Sequence, residues 1–233
     1  MQAPTLAHFP MVKRLLRYVK GTLHHGLRFS LGPFTLHAFS DSNWAGDPLD
    51  RRSTSGYCIF LGSNLISWSS KKQATMSRSS TEVEYRALAH TAAEVTWLQM
   101  LLAEFAISLS SPPIICSDNQ SALTLAANPV FHSRSKHTDV DCHLVREKVA
   151  AHQLVLRYIP TLDQLADVFT KPLSTSRFQF LTPTLLVSPP PIRLLGDDRI
   201  SHNSEQPKQS KLQQHQSTTS SASSSSVTES VTE

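Results

Sequence analysis

The residues that could do chemistry in this sequence are acidic, and four of them stand at positions that favour a shared site. They are Asp41, Glu84, Asp118 and Asp167. Clustered carboxylates repel one another when ionised, and divalent cations between them relieve that repulsion. Hard carboxylate oxygens favour Mg²⁺ or Mn²⁺, and two such ions about 4 Å apart can contact both the attacking and the leaving oxygen of a phosphodiester. The four acids are therefore a candidate two-metal site.

Asp41 and Asp118 each end a predicted strand. The segment FTLHAFSD, residues 34–41, alternates apolar and polar residues, and IICSD, residues 114–118, is a short apolar run after a Pro-Pro pair. If the two strands are neighbours, the ends of both lie at one edge of the sheet and bring the carboxylates together. Each acid also has a simpler explanation, because Asp41 could begin a turn and Asp118 could cap the following helix.

Glu84 lies in the longest segment with helical periodicity, residues 79–105, which contains no Gly or Pro. Leu88 and later apolar residues recur at helical steps, and Glu84 lies on the same face, four residues before Leu88. Glu82 is roughly 160° away around the helix and is predicted to face solvent. A buried carboxylate is costly unless it is paired or binds a metal. Alternatively, Glu84 could belong to a capping box at the start of the helix.

Asp167 falls in a predicted last helix, residues 162–171, inside the apolar run LADVF. It could equally be a solvated helix residue.

The other predicted elements are a hairpin of strands at 57–61 and 65–68, helices at 120–127 and 138–150, and a strand at 154–159. Three strands joined without helices, followed by strands separated by helices, predict a mixed sheet whose later strands are parallel and covered by helices.

Composition and charge limit the function classes. The 233 residues include no apolar run long enough to span a membrane and no secretion signal, so we expect a cytoplasmic or nuclear protein without a membrane partner. Three cysteines form no paired framework, which favours a reducing compartment.

The net charge of +4 is unevenly distributed along the chain. Residues 1–33 hold five Lys or Arg and no acid, whereas residues 34–172 hold 12 basic and 13 acidic residues. A polyanion at the middle segment would therefore need cations or the basic N-terminal arm, whose residues 10–20 predict an amphipathic helix ended by Gly21.

Several long motifs occur in one order along residues 10–181. They read KRLLRYVKGTLHHGL, FSDSNWAGDPLDRRSTSGYCIFLGSNLISWSSKKQ, SRSSTEVEYRALAHTAAEVTWL, SDNQSALTLAANPVFHSRSKHTDVDCHLVREKV and RYIPTLDQLADVFTKPL. With these motifs the chain resembles the reverse-transcriptase connection and ribonuclease H segment of copia-type LTR-retrotransposon Pol polyproteins. The resemblance covers about three quarters of the chain.

The resemblance implies an α/β architecture, a ribonuclease H-like mixed five-stranded sheet with helices on both faces. It divides the chain into four parts: a basic connection segment (1–33), a ribonuclease H-like domain (34–173), a diverged closing segment (174–187) and a Ser/Gln-rich tail (188–233). The tail carries almost no apolar residues after Ile200, so we expect it to be disordered.

The resemblance also implies the roles of the four acids. Asp41 matches the first aspartate of the family's S-D-x-D-W-A-G, and Glu84 matches the second glutamate of T-E-x-E-Y. Asp118 matches D-N-Q-S-A, and Asp167 matches Q-L-A-D-x-x-T-K. The family uses two Mg²⁺ ions, for which Mn²⁺ can substitute, to hydrolyse the RNA strand of an RNA–DNA hybrid, leaving 5′-phosphate and 3′-hydroxyl ends. Asn43 departs from the family pattern, which often has a second acid there, but that position is not one of the four ligands.

An RNA–DNA hybrid is thus the expected partner, together with other retroelement Pol or Gag proteins. Lys71, Lys72 and Arg78, just before the long helix, are candidate phosphate contacts, although ordinary solvated charge explains each of them equally well. The hybrid would be recognised by backbone shape and 2′-hydroxyls rather than by base sequence.

Three alternatives remain open on the sequence. The chain shows no polymerase, protease or integrase motifs, so a catalytically silent retroelement remnant would act at most as a weak nucleic-acid or Pol-protein binding module. An integrase or transposase-like enzyme could share the same fold, since fold does not fix chemistry. The stretch between His137 and His143 holds acids and a cysteine at helical spacing, but a zinc site would require a tighter His/Cys pattern.

Overall fold

Apolar residues at alternating positions form the strands of a central sheet, and apolar residues at helical spacing form the helices that cover it. A computed structural model describes residues 5–23, 25–127, 136–185 and 187–188, with residues 136–142 and 187–188 described by their backbone alone. The helices are α1 (His8–Thr22), α2 (Ser80–Glu104), α3 (Gln120–Ala127), α4 (Lys136–Ala150), α5 (Asp167–Thr170) and α6 (Thr175–Leu181). The strands are β1 (Gly26–Leu27), β2 (Leu36–Asn43), β3 (Thr54–Leu61), β4 (Asn64–Lys72), β5 (Ile114–Ser117), β6 (Val155–Tyr158) and β7 (Val187–Ser188).

The central sheet has the order β4-β3-β2-β5-β6. β2, β3 and β4 are antiparallel, whereas β2, β5 and β6 are parallel. The tight turn between β3 and β4 contains Gly62 at a φ of 60°, a conformation that favours glycine. The mixed five-stranded sheet predicted from the sequence is confirmed. β1 and β7 form a separate two-stranded pair.

The period of two along β3 places apolar side chains on both faces of the sheet. Ile59 packs with α2 residues such as Leu88 in the larger core, whereas Cys58 and Phe60 pack with Leu181 in the smaller one. The sheet is therefore covered on both faces, as the ribonuclease H-like architecture requires.

The long helix predicted over residues 79–105 is confirmed as α2. The side chain of Ser79 accepts a hydrogen bond from the backbone N–H of Glu82 at 3.2 Å, which caps the helix. Its buried residues include Val83, Leu88 and Val95, so one face of the helix lies against the sheet.

The predicted last helix, residues 162–171, is wrong as a continuous element. The structure has a 3₁₀ turn at Thr161–Asp163 and then the single-turn helix α5. The side chain of Gln164 interrupts the helix, because its Nε2 donates to the Ser40 carbonyl at 2.9 Å and its Oε1 accepts from the Ala166 N–H at 3.2 Å. This long-range bond outweighs the local helical preference of the segment.

The helix predicted at residues 10–20 is present as α1 but is longer than predicted. α1 continues past Gly21 to Thr22, and none of its residues is buried. Beyond residue 173, α6 and the following turn contribute Leu181 and Leu185 to the smaller core. Residues 189–233, which make up all but the first residue of the tail predicted to be disordered, lie outside the described residues. Within the described part of the chain, no helix is both long and apolar enough to cross a membrane.

Candidate active site

Asp41 lies on the central strand β2 and is fully buried. Across the antiparallel pair its register partner is Gly56 on β3. On the other side, Phe39 pairs with Cys116 of parallel β5, so Asp41 and Asp118 each lie two residues beyond that pair. The sheet therefore brings the Asp41 and Asp118 carboxylates side by side, as the sequence predicted, although β2 continues two residues past Asp41 to Asn43 instead of ending there.

Glu84 extends from α2 toward the same edge of the sheet. Its side chain belongs to the buried face of the helix, with 9% of the residue exposed. The backbone N–H of Ser42 hydrogen-bonds the carboxylate, but Oε2 is buried and has no hydrogen-bond partner among the described residues. Ser79, rather than Glu84, caps the helix. One oxygen of the buried carboxylate is thus bonded to the backbone, whereas Oε2 has no protein group to offset its burial.

Three carboxylates meet at this edge. One oxygen each from Asp41, Glu84 and Asp118 lies within 4.8 Å of the other two. Asp118 is half-buried, and Asn119 rather than Asp118 caps α3, by accepting a hydrogen bond from the Ala122 N–H at 2.9 Å. The capping explanation of Asp118 is therefore wrong, and its carboxylate is available to the cluster.

Burial and mutual repulsion dominate the electrostatics of the cluster. Burial raises the pKa of Glu84 to about 9, with further contributions from the nearby carboxylates of Asp41 and Asp118. Burial also raises the pKa of Asp41, although the Lys171 ammonium and the Thr170 hydroxyl act in the opposite direction. Burial therefore favours the protonated form of Glu84, whereas Asp41 also forms an ion pair with Lys171.

The donor set fits a divalent metal ion. Three carboxylate groups converge, and the unpartnered Oε2 of Glu84 leaves one buried acceptor that a cation could satisfy. Oxygen-only ligands of this kind favour Mg²⁺ or Mn²⁺ over zinc, which prefers nitrogen and sulfur.

Asp167 is close to the cluster but belongs to a different arrangement. It is 4% exposed and begins α5, where Lys171 Nζ contacts its Oδ1 at 2.7 Å and Arg177 Nη2 contacts its Oδ2 at 3.3 Å. The same Lys171 Nζ lies 3.0 Å from Asp41 Oδ1. The structure therefore unites three of the predicted acids and connects the fourth to them through an ammonium group.

Sequence reasoning missed the residues that connect α5 to β2. The Thr170 hydroxyl donates to Asp41 Oδ2, and Lys171 bridges Asp41 and Asp167. Only the spacing of four residues between Asp167 and Lys171 was visible in the sequence. Gly56 allows α5 to approach, because a Cβ there would lie 2.7 Å from both Phe169 Cβ and Thr170 Cγ2.

The three predicted phosphate contacts lie in the segment just before α2. Lys71 and Lys72 end β4, and Arg78 precedes α2; all three are exposed. Lys72 forms ion pairs with Asp47 and Asp50, the second at 2.8 Å. The role of the three cations in nucleic-acid binding stays a prediction. The stretch proposed as an alternative zinc site, between His137 and His143, lies almost wholly outside the described side chains.

A second group of basic residues borders the site. A cleft of about 830 Å³ separates α1 from α5 and α6, and its lining includes Arg14, Arg17, His25 and Lys171. The cleft thus continues from the bridging lysine to the basic face of α1.

Comparison with known proteins gives relatives among transposon polyproteins. The chain is similar to the retrovirus-related Pol polyproteins from transposons RE1 and RE2 of Arabidopsis thaliana, with 50% and 51% identity over 180 residues. It is 35% identical over 179 residues to the corresponding polyprotein from transposon TNT 1-94 of Nicotiana tabacum. Each alignment covers 77% of this chain, which spans only 12% to 13% of the length of these relatives. No protein-family model matches.

Solved structures with a similar arrangement are ribonuclease H domains. An N-terminal RNase H domain from Mycobacterium tuberculosis has a TM-score of 0.44 at 10% identity, covering 65% of this chain and 98% of that one. LC11-RNase H1 in complex with an RNA/DNA hybrid has a TM-score of 0.43 at 15% identity, covering 58% and 94%.

Proposed function

The chain is a homologue of the retrovirus-related Pol polyproteins of copia-type transposons, and from this relationship we propose that it is a metal-dependent nuclease acting on the RNA strand of RNA–DNA hybrids. The observation that carries the proposal is the convergence of Asp41, Glu84 and Asp118, from three separate elements, within 4.8 Å. The unpartnered Oε2 of Glu84 supports it, since both oxygens of a purely structural buried carboxylate would have hydrogen-bonding partners.

The chain's own residues would prepare the reaction in distinct ways. Asp41, Glu84 and Asp118 would hold Mg²⁺ or Mn²⁺, and the Thr170 hydroxyl fixes the orientation of the Asp41 carboxylate. Bound divalent cations would lower the pKa of a water molecule and neutralise charge developing on the phosphodiester. Asp167, at the other end of the Lys171 bridge, would complete the set of four acids.

The substrate class follows from the motifs and the surrounding charge. The T-E-V-E-Y and D-N-Q-S-A sequences that contain Glu84 and Asp118 support the ribonuclease branch over a strand-transfer enzyme. The cleft lined by Arg14 and Arg17 gives a polyanionic backbone a basic surface next to the acids. Hybrid recognition through backbone shape would need no base-reading residues.

Cleavage of an end-labelled RNA–DNA hybrid by the full chain, with Mg²⁺ and separately with Mn²⁺, tests the proposal. We expect cleavage of the RNA strand, its loss in Asp118→Asn, and its retention in Asp163→Asn, which alters an exposed acid on the neighbouring 3₁₀ turn. The absence of cleavage by folded protein, under conditions in which a control ribonuclease H cuts the same hybrid, would contradict the proposal.

The same samples separate the second candidate, a non-catalytic binding module. The basic lining of the cleft favours this candidate if the acids are inactive. Hybrid that is bound but left intact, with affinity falling steeply as salt rises, would assign the chain to that class.

A further inference from the structure

Lys171 is the one cation in contact with both Asp41 and Asp167 among the residues that the structure describes. Its Nζ lies 3.0 Å from Asp41 Oδ1 and 2.7 Å from Asp167 Oδ1. These are the distances of charge-assisted hydrogen bonds, so the ammonium occupies the space between the two carboxylates.

The remaining oxygens of these two acids are already held by other donors. Asp41 Oδ2 accepts from the Thr170 hydroxyl, and Asp167 Oδ2 contacts Arg177 at 3.3 Å. Only the two Oδ1 atoms face Lys171. The half of the site between Asp41 and Asp167 is therefore closed by protein groups.

The other half of the site is different. Asp41, Glu84 and Asp118 converge without an intervening cation among the described residues, and Glu84 Oε2 has no hydrogen-bond partner there. A divalent cation that binds Glu84 Oε2 would displace no protein group from that oxygen. The two halves of the acidic site are therefore unequal before any metal binds.

Lys171 is also the most exposed member of the closed half. Its side chain is 34% exposed, whereas those of Asp41 and Asp167 are 0% and 6% exposed. A lysine ammonium is carried on a flexible four-carbon stem, and Lys171 lines the cleft next to α1, which gives it a space to enter.

We propose that Lys171 is a positioning residue whose ammonium occupies the place of a second divalent cation between Asp41 and Asp167. The first cation then binds to Asp41, Glu84 and Asp118, and a second binds only after the ammonium withdraws into the cleft. This inference rests on the proposed function, because it assumes that the acids bind divalent cations. It adds the order in which the two cations bind, and it assigns to Lys171 the control of cation binding at the second position.

Mn²⁺ titration of the full chain, followed by calorimetry and by the paramagnetic resonance signal of free Mn²⁺, tests the inference without relying on activity. Wild type should bind one ion tightly and a second weakly. Lys171→Met keeps much of the side-chain length but removes the charge. If the ammonium leaves the second position open a tenth of the time in the wild type, this variant should bind the second Mn²⁺ ion with about tenfold higher affinity. Lys171→Arg should keep the second ion weak, because the charge remains.

Lys148→Met is the matched control, since Lys148 lies in the last turn of α4 and lines a different cleft from Lys171. It should leave both Mn²⁺ affinities unchanged. Circular dichroism would establish that each variant is folded. Equal second-ion affinity in folded wild type and Lys171→Met would overturn the inference while leaving the proposed nuclease intact. Wild type that binds no Mn²⁺ would overturn the proposed function and the inference together.

Discussion

Replacing Glu84 with glutamine should make the metal-free protein more stable while removing its response to metal. Glu84 is a buried carboxylate with an unpartnered oxygen, next to two other acids. Glutamine keeps the shape of the side chain but removes the charge that burial and repulsion oppose. The substitution therefore separates the stability of the fold from the function of the site.

The magnitude follows from the pKa of Glu84, which rises to about 9 from an ordinary value of 4.5. Between these two pH values the folded protein binds a proton that the unfolded chain has released, so the stability of the wild type falls as pH rises through the window. At about 1.4 kcal/mol for each pH unit from 4.5 to 7, folding at pH 7 costs about 3 kcal/mol that the glutamine variant avoids. The gain should vanish near pH 4, where both states of the wild type are protonated.

The assay is urea and thermal unfolding of wild type and Glu84→Gln in the presence of a chelator, from pH 4 to pH 8. For a chain of this size, about 3 kcal/mol corresponds to a rise in Tm of roughly 6–12 °C at pH 7. Adding Mg²⁺ at about 100 times its Kd should stabilise the wild type by about 2.7 kcal/mol and the variant much less.

Glu82→Gln is the control on the same helix. Glu82 accepts hydrogen bonds from the Arg78 backbone at 2.9 Å and from Arg86 at 2.8 Å, and it lies outside the acidic cluster. Its loss should cost roughly 0.5 kcal/mol and leave the metal response intact. A Glu84→Gln variant that is no more stable than wild type at pH 7, or that keeps the full metal response, would refute the reasoning.

Two further substitutions test how α5 is held against the sheet. Gly56→Ala should destabilise the protein by about 1–3 kcal/mol in urea unfolding, because the new methyl group would collide with Phe169 and Thr170; unchanged stability would mean that this approach is looser than described. Gln164→Leu should cost about 1–3 kcal/mol by leaving the buried Ser40 carbonyl without its donor, and a neutral result would show that water or another group replaces the amide.

Local patterns in the sequence made Asp41, Glu84 and Asp118 candidates for a shared site together with Asp167, and the family resemblance then implied their roles. The helical period alone distinguished Glu84 from Glu82, because the core-facing side of α2 repeats at steps that include Glu84. The strand positions of Asp41 and Asp118 followed from short apolar segments that end at each acid. These features depend on residues close to one another in the chain, so they could be predicted from the sequence.

The connections around Asp167 could not be predicted in the same way. The side chain of Gln164 ends the local helix by binding Ser40, 124 positions earlier in the chain. Lys171 reaches Asp41 across 130 positions. Neither pair leaves a periodic signal, because each depends on how β2 and α5 meet in three dimensions. The sequence therefore predicted the acid but not the cation that bridges it.

The exposure of α1 shows which part of the chain the two cores and the acidic site depend on. None of the residues of α1 is buried, and both cores draw their buried residues from position 36 onward. The four acids likewise lie between Asp41 and Asp167. Exchange of the segment before Leu36 would leave the buried residues of both cores and the four acids in place. It would alter one wall of the basic cleft, the pairing of β1 with β7 and the hydrogen bonds between Ser30 and Asn64. The acids and the basic wall of the cleft thus belong to separate segments of the chain, so the charge of that wall can change without any change to the acids.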